Sequence, residues 1–424
     1  MVASVTLESI SARVSSGGTP SRKNAEYFSS DATGHLWVKS KELLDCAIED
    51  TEERITDDGL QYSSAKYFPA HTVLVAMYGA NVGQLGWLRQ PATVNQAICG
   101  LVIDEQKADW RFVFYSLLLN RGDLTVQAQG AAQQNLNQDL IRQFAISLPP
   151  LPVQQRIAGI LSAYDELIEN SQRRIRILEA MARALYREWF VHFRFPSHDS
   201  VPRVPSPLGD IPQGWRVGQL GTICETITSG GTPRTSVSEY WGGSIPWLSS
   251  GETGNAFITE TDKTITEEGV ENSSTRLARA GCTVVASAGQ GKTRGQTSIL
   301  CLDCYINQST IALTADTKQI SNNFLFLDLS GRYGQLRQIS DGSSRGSLTT
   351  RLLADLEVVI PTASLVHEFD DLVAPMLKNI EIGVRRTKNL RRTRDLLLPR
   401  LLSGQVAVDA HSGAISDSPA CPQQ

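Results

Sequence analysis

Long apolar runs are missing from this 424-residue sequence. No stretch approaches the ~18 apolar residues of a membrane-spanning helix, which argues against insertion in a bilayer. An excess of charge of one sign is missing too. Forty Lys and Arg stand against 44 Asp and Glu, a net charge of -4, so long-range attraction is not what would bring the chain to a polyanion. Any nucleic-acid contact must come from local patches or a partner. Residues 1–13 lack the basic-then-apolar pattern of a secretory signal, and the seven cysteines are an odd number. Both point to free thiols in a reducing cytoplasm. Catalytic signatures are equally scarce. No Asp-Pro-Pro-Tyr or Asn-Pro-Pro-Phe type tetrad for amino methylation and no carboxylate-carboxylate-lysine nuclease spacing can be read, so chemistry must come from other chains. What remains, 41% hydrophobic and 20% charged residues, is the composition of a folded globular protein with room for two or three domains.

What the sequence has is repetition. Ser16-Gly17-Gly18-Thr19-Pro20 returns as Ser229-Gly230-Gly231-Thr232-Pro233, an offset of 213, and Glu26-Tyr27 returns as Glu239-Tyr240. Within three residues of that offset, Ile55-Thr56-Asp57-Asp58-Gly59 matches Ile265-Thr266-Glu267-Glu268-Gly269, Asn95-Gln96 matches Asn307-Gln308, and Leu148-Pro149 matches Ile360-Pro361. The chain therefore reads as a tandem duplication, and so long a period argues against a solenoid. Each unit opens with short β-like runs, Thr72–Ala76 and Cys282–Ala286, set among Gly, Ser and Thr, which predicts an α+β domain. Each closes on a long helix.

The first helix is expected after the stiff Leu148-Pro149-Pro150-Leu151-Pro152 entry and on to about Phe190, with Pro196 preventing continuation. Its seam alternates by three and four: Ile157, Leu161, Tyr164, Ile168, Ser171, Ile175, Leu178, Ala182, Leu185, Trp189, all but Ser171 apolar or aromatic. In the second helix Phe369, Val373, Met376, Ile380, Leu390, Leu397 and Leu401 fit the same spacing. Gly383, Thr387 and Arg394 do not. Pro375 is expected to bend this helix and Gly404 to end it. A seam of about 37 residues, ~55 Å at 1.5 Å per residue, predicts that the two helices pair. The five prolines of Phe195 to Trp215 read as a linker that turns the second unit back on the first.

Three segments together resemble the specificity subunits of type I restriction-modification systems. They are Leu148-Pro149-Pro150-Leu151-Pro152-Val153-Gln154-Gln155-Arg156-Ile157, Leu185-Tyr186-Arg187-Glu188-Trp189-Phe190 and Gly209-Asp210-Ile211-Pro212-Gln213-Gly214-Trp215. The resemblance covers about residues 5 to 404, and it weakens at Ala363-Ser364-Leu365-Val366-His367, where the proline- and glutamine-containing entry is lost. It implies two homologous α+β target-recognition domains, at 1–152 and 216–363, and two long helices, at 153–194 and 364–404, forming an antiparallel coiled coil with a pseudo-twofold. A Pro-rich linker at 195–215 and a tail at 405–424 complete the division. It further implies double-stranded DNA, two methyltransferase subunits and restriction/translocase subunits as partners, in the cytoplasm. S-adenosylmethionine, ATP and Mg would then sit on those partners, with no cofactor or metal in this chain.

Glycine-rich loops after the central β runs are the candidate base readers. Glycine allows close backbone approach, Asn and Gln match adenine edges, and Arg or Lys matches guanine or phosphate. This nominates Tyr78, Asn81 and Gln84 in the first unit, and Gln290, Lys292, Thr293 and Arg294 in the second. Later loops add Gln133, Gln134, Asn135, Ser344 and Arg345. The flanks match between halves while these loops differ, as two readers of different sequences require; the competing expectation is a set of solvated turns. The basic run from Arg385 to Arg394 could face phosphates, or simply water. Ala286 to Thr293 also fits a relaxed P-loop, which would make the chain an NTPase, but the segment after Thr293 is β-like where a phosphate cradle needs a helix. Cys301 and Cys304 have half a zinc spacing without a second pair. A coiled-coil scaffold without DNA binding would explain the helices but not the duplicated domains.

Overall fold

The computed structural model describes residues 3–29, 33–129, 135–289, 291–342, 346–406 and 408. Two compact units emerge: unit 1 from residues 1–168 and 390–424, unit 2 from residues 169–389.

The sheet at the heart of unit 1 has five strands in the order Ser11–Ser16, Ile98–Ile103, Val73–Ala76, Leu85–Leu88, Cys46–Ile48. In unit 2 the order is Cys224–Ser229, Thr310–Ala315, Thr283–Ala286, Thr297–Leu300, Phe257–Ile258. Strand for strand these are the same sheet, the last pairing parallel in both. The central strands are buried on both faces, which is why Val73–Ala76 and Thr283–Ala286 read as continuous apolar runs. A second, smaller sheet runs through His35–Val38 and Ala92–Val94 in unit 1 and through Trp241–Leu248 and Cys304–Ile306 in unit 2. A two-stranded ribbon closes each domain, Ala3–Thr6 on Ala145–Leu148 and Arg216–Gln219 on Glu357–Ile360.

The repeated motifs are the interlocking pieces of this frame. Thr56 caps the short helix Asp57–Gln61 by accepting the Gly59 N–H, and its own hydroxyl donates to the Glu26 carbonyl at 2.9 Å. Thr266 does both for Glu267–Glu271, reaching Glu239 at 2.8 Å. The acidic residues after each threonine suit the positive end of the helix dipole.

The first long helix spans Leu151–Tyr186 and continues as a π-helical turn, Arg187–Val191. It starts earlier than the proline-rich entry suggested, because Pro152 falls in the first turn, where a missing N–H costs nothing. Gln154, buried, ties this start down: its amide oxygen accepts the Asp109 N–H at 3.0 Å and its NH2 donates to the Pro149 carbonyl at 2.8 Å. The second long helix, Ala363–Leu402, passes unbroken through Pro375 and stops before Gly404, whose φ of 75° is the left-handed ending glycine tolerates.

Within each unit the two helices pair antiparallel. In unit 1, Ile157 and Leu161 share a core with Leu398 and Leu401, and Asp165 binds Arg394. In unit 2, Ile175 packs on Gly383, and the Trp189 and Phe369 rings lie 5.7 Å apart. The apparent misfits are thus interface residues. Gly383 leaves room for Ile175, since a Cβ there would sit 3.0 Å from its Cγ1; Thr387 is buried; Arg394 is neutralised across the seam. Of the nominated seam residues, Ile157, Leu161, Ile168, Trp189, Phe369, Val373, Ile380 and Leu401 are buried, and Tyr164, Ile175, Leu178, Leu185, Met376, Leu390 and Leu397 half-buried. Tyr186, Leu377 and Leu398 are also buried, because where a helix meets the α+β domain its covered stripe is wider than a two-helix seam. Each fully buried leucine, such as Leu161, stabilises by about 1.5–3 kcal/mol.

The Pro-rich segment is packed rather than loose. Arg203–Val204 pairs with Ile211–Pro212, the Phe195 ring stacks on Trp215 at 5.5 Å, and Phe195, Ile211 and Trp215 join the unit 2 core.

Candidate nucleic-acid interface

In unit 1 the strands Val73–Ala76 and Leu85–Leu88 are joined by a loop with a single 3-10 turn at Gly79–Asn81. Ala76 N–H donates to Gln84 O and Gly83 N–H to Ala76 O, both at 2.9 Å, closing its base. The segment that follows the later nominated residues is brought alongside it, since Leu136 N–H donates to Met77 O at 3.0 Å. Unit 2 repeats every one of these bonds: Ala286 N–H to Gln296 O, Gly295 N–H to Ala286 O and Leu348 N–H to Ser287 O, each at 2.9 Å. Two segments distant in sequence, one of them at Leu136 or Leu348, thus meet at the same edge of the frame in each unit.

On this edge Tyr78 is exposed, while Asn81, Gln84 and Asn135 are half-buried. Gln133 and Gln134 lie outside the described residues, as do Gln290, Ser344 and Arg345 in unit 2. Lys292 is exposed, with no ion partner among the described residues, and Thr293 is half-buried. Arg294 is differently placed from a reader. Its guanidinium turns inward, donating to the Gly346 carbonyl at 2.5 Å and pairing with Asp341, so it ties the two loops together. The helix beneath helps: Tyr333 Oη donates to Lys292 O at 2.8 Å and Arg337 Nη1 to Gly291 O at 2.7 Å. A cavity of about 380 Å3 opens beside this loop, lined by Lys292, Gln296, Thr253, Phe326 and Tyr333 among others.

The P-loop-like run joins two antiparallel strands, so Lys292 and Thr293 open no helix, the element whose N-terminus a phosphate cradle requires. Burial pushes the Cys301 and Cys304 thiols up to about 12, the state of inert packed thiols. In the basic run, Arg385 donates to the carbonyls of Thr259 and Cys301, Lys388 pairs with Glu260 at 2.9 Å and Arg394 with Asp165. Arg386, Arg391 and Arg392 face solvent.

Sequence reasoning passed over one feature of this edge. Gly17 presses against the strand that ends at Val94, where a Cβ would lie 1.9 Å from the Val94 carbonyl oxygen; for Gly230 and Ile306 the figure is 1.8 Å. The buried Trp37 and Trp247 indoles donate to the Gly18 and Gly231 carbonyls at 3.1 and 3.3 Å. This close approach brings the Thr19 hydroxyl to the Gln96 amide oxygen and the Thr232 hydroxyl to that of Gln308. The repetition of both motifs was the available signal; their contact across the sheet was not.

A family model for the Type I restriction modification DNA specificity domain matches residues 13–180 and again 212–368. The Type I restriction enzyme MjaIX specificity subunit of Methanocaldococcus jannaschii is 23% identical over 404 residues, covering 93% of this chain and 91% of that relative. The HindI specificity subunit of Haemophilus influenzae is 22% identical over 359 residues, covering 70% and 77%. Among solved structures, the type I restriction-modification S subunit from M. genitalium has the same fold, with a TM-score of 0.64 at 16% identity over 94% of this chain and 95% of that one.

Proposed function

Because the chain belongs to the family of type I restriction-modification DNA specificity subunits, we propose that it reads a bipartite, asymmetric DNA target, one half-site per unit. It holds two adenine methyltransferase subunits and the restriction/translocase subunits over that target. The observation that supports this reading is the frame built twice, bond for bond, around loops that differ in sequence. A common frame fixes where a loop meets the duplex, and the loop's own residues decide which bases it accepts.

In unit 1 the readers are drawn from Tyr78, Asn81, Gln84 and Asn135, with Gln133 and Gln134. In unit 2 they are drawn from Lys292 and Thr293, with Gln290, Ser344 and Arg345, while Arg294 positions the loops. The chain contributes recognition and no catalytic group; S-adenosylmethionine, ATP and Mg2+ belong to the partners. A net charge of -4 suits a chain that leaves much of the phosphate neutralisation to other subunits. Co-expression with the neighbouring methyltransferase, followed by mapping of modified adenines, tests the function. Replacing residues 216–360 with the equivalent segment of a related subunit is expected to change one half-site and leave the other intact. If both half-sites change together, the units do not read independently.

A further inference from the structure

Two readers of different sequences share one thing on the DNA, its sugar-phosphate backbone. Whatever the two units build identically at the reading edge is therefore suited to that common element, and what they build differently is suited to bases. The Thr-Gln contact is built identically. In each unit a Gly-Gly segment pressed on a strand, an indole bond and a following proline fix the threonine, whose hydroxyl then holds the glutamine by its amide oxygen. Asn95 and Asn307 shape the turn beneath, each accepting the N–H two residues on, at 3.2 and 3.1 Å. Gln96 and Gln308 are exposed nonetheless. An exposed side chain held at its oxygen end leaves its NH2 group, a pair of donors, without a hydrogen-bond partner among the described residues. The spot is next to the reading loops, since Met77 N–H donates to Ala97 O and Ser287 N–H to Ser309 O, both at 2.8 Å. Exposed cations follow each proline: Lys23 in unit 1 and Arg234 in unit 2, neither with an ion partner among the described residues.

We propose that Gln96 and Gln308 are sequence-independent DNA contacts, each donating its amide NH2 to a backbone phosphate beside the half-site its unit reads, with Lys23 and Arg234 supplying charge alongside. The proposal rests on the DNA-reading function above and adds the group that sets each unit's register on the duplex. A neutral donor suits that task, because it fixes position through direction while contributing little to counterion release.

The test uses the purified assembly of the full chain with its methyltransferase partner. Fluorescence anisotropy is read on a duplex carrying the mapped target and on a scrambled duplex, across a salt series. Gln96→Ala and Gln308→Ala are each expected to weaken both duplexes by the same factor, about threefold to tenfold for one hydrogen bond, with the salt slope unchanged and the methylated sequence the same. Lys23→Ala and Arg234→Ala are expected to lower the salt slope by about one. Gln96→Glu still accepts from the Thr19 hydroxyl but turns a negative oxygen toward the phosphate, so it should bind more weakly than Gln96→Ala at an unchanged Tm. Three results would overturn the proposal: unchanged affinity in both alanine variants, loss confined to the target duplex, which marks a base contact, or a lowered Tm in Gln96→Ala with Gln96→Glu binding like the wild type, which marks a mere staple. A wild-type assembly with no preference for the mapped target would instead sink the DNA-reading function, and the phosphate contact with it.

Discussion

Asp165 is the place where unit 1 is most economically broken. This one carboxylate accepts the Tyr115 hydroxyl from the helix Trp110–Leu119 and pairs with Arg394 of the second long helix, so it joins the α+β domain to both long helices. Burial, then the neighbouring carboxylate, pushes the Tyr115 phenol far above its ordinary range, so it stays a donor at any working pH. Asp165→Ala strands that hydroxyl, on a side chain only 3% exposed, at a cost of about 1–3 kcal/mol. Arg394 keeps Asp395 at 2.8 Å, and the broken pair is partly solvated, at 18% and 32% exposure, so its loss adds about 1 kcal/mol or less. For a unit of this size a total of about 1–4 kcal/mol lowers Tm by roughly 3–12 °C. Tyr115→Phe alone leaves Asp165 with Arg394 and should cost about 1 kcal/mol. The double variant is the decisive one. With no hydroxyl left to strand, Tyr115→Phe combined with Asp165→Ala should be more stable than Asp165→Ala alone by about 1 kcal/mol. Thermal unfolding of the four proteins, followed by fluorescence and calorimetry, gives the cycle. If the single losses simply add, or if Asp165→Ala unfolds within a degree of the wild type, the three-way tie does not hold unit 1 together.

Gly17→Ala must move the Val94 carbonyl, 1.9 Å from the new Cβ, and should cost more than about 3 kcal/mol or prevent soluble expression. Gly79→Ala, with φ of 78° but open space around it, should lose only about 1 kcal/mol; equal losses in Tm would refute the close-approach argument. The Arg22 and Lys39 contacts hold the Glu53 carboxyl below its ordinary value of 4.5, so their stabilisation is complete above that pH and fades as pH falls through the lower folded value. Glu53→Gln should accordingly flatten the acid limb of a Tm-against-pH curve, and an unaltered limb would contradict the assignment. The Cys224, Cys301 and Cys304 thiols, raised to about 12 by burial, hold about one thiolate in ten thousand at pH 8. Iodoacetamide should reach these peptides only after unfolding, as mass mapping can show.

The duplication, the alternation of strands and the existence of both long helices were legible because each leaves a periodic trace in the chain. Contacts made across the sheet leave none. Thr19 and Gln96 are 77 residues apart and meet only because the strands beside them, Ser11–Ser16 and Ile98–Ile103, pair in register, so their motifs could be seen while their partnership could not. Arg294 looked like a guanine reader by residue type, yet Asp341 and the Gly346 carbonyl lie within its reach and turn it inward. The second helix misled in the opposite direction. A heptad template rejects Gly383 and Arg394, but a glycine that admits a larger neighbour and an arginine that meets a carboxylate are both sound interface chemistry. The loops proposed to read bases stay hardest to assign from sequence for a physical reason: nothing in the protein core dictates their residues.

Unit 1 takes its residues from both ends of the chain, 1–168 and 390–424, whereas unit 2 is the continuous stretch between. A ribosome releases these pieces in an order that matters. Leu161 and Asp165 leave the exit tunnel long before Leu398 and Arg394, with 229 residues separating the two charged partners. At about 5–20 residues per second that interval is roughly 10–45 s. During it the newborn first helix carries an uncovered apolar stripe, open to chaperones and to the long helices of sister chains on the same message. Unit 2 waits as well, since Ile175 and Trp189 meet Gly383 and Phe369 only near the end of its own stretch, but it waits on no residue beyond that stretch. A piece translated after unit 2 is therefore the piece that completes the first domain begun, and a message cut short just before residue 390 yields a unit 2 with all its residues and a unit 1 that has no way to close.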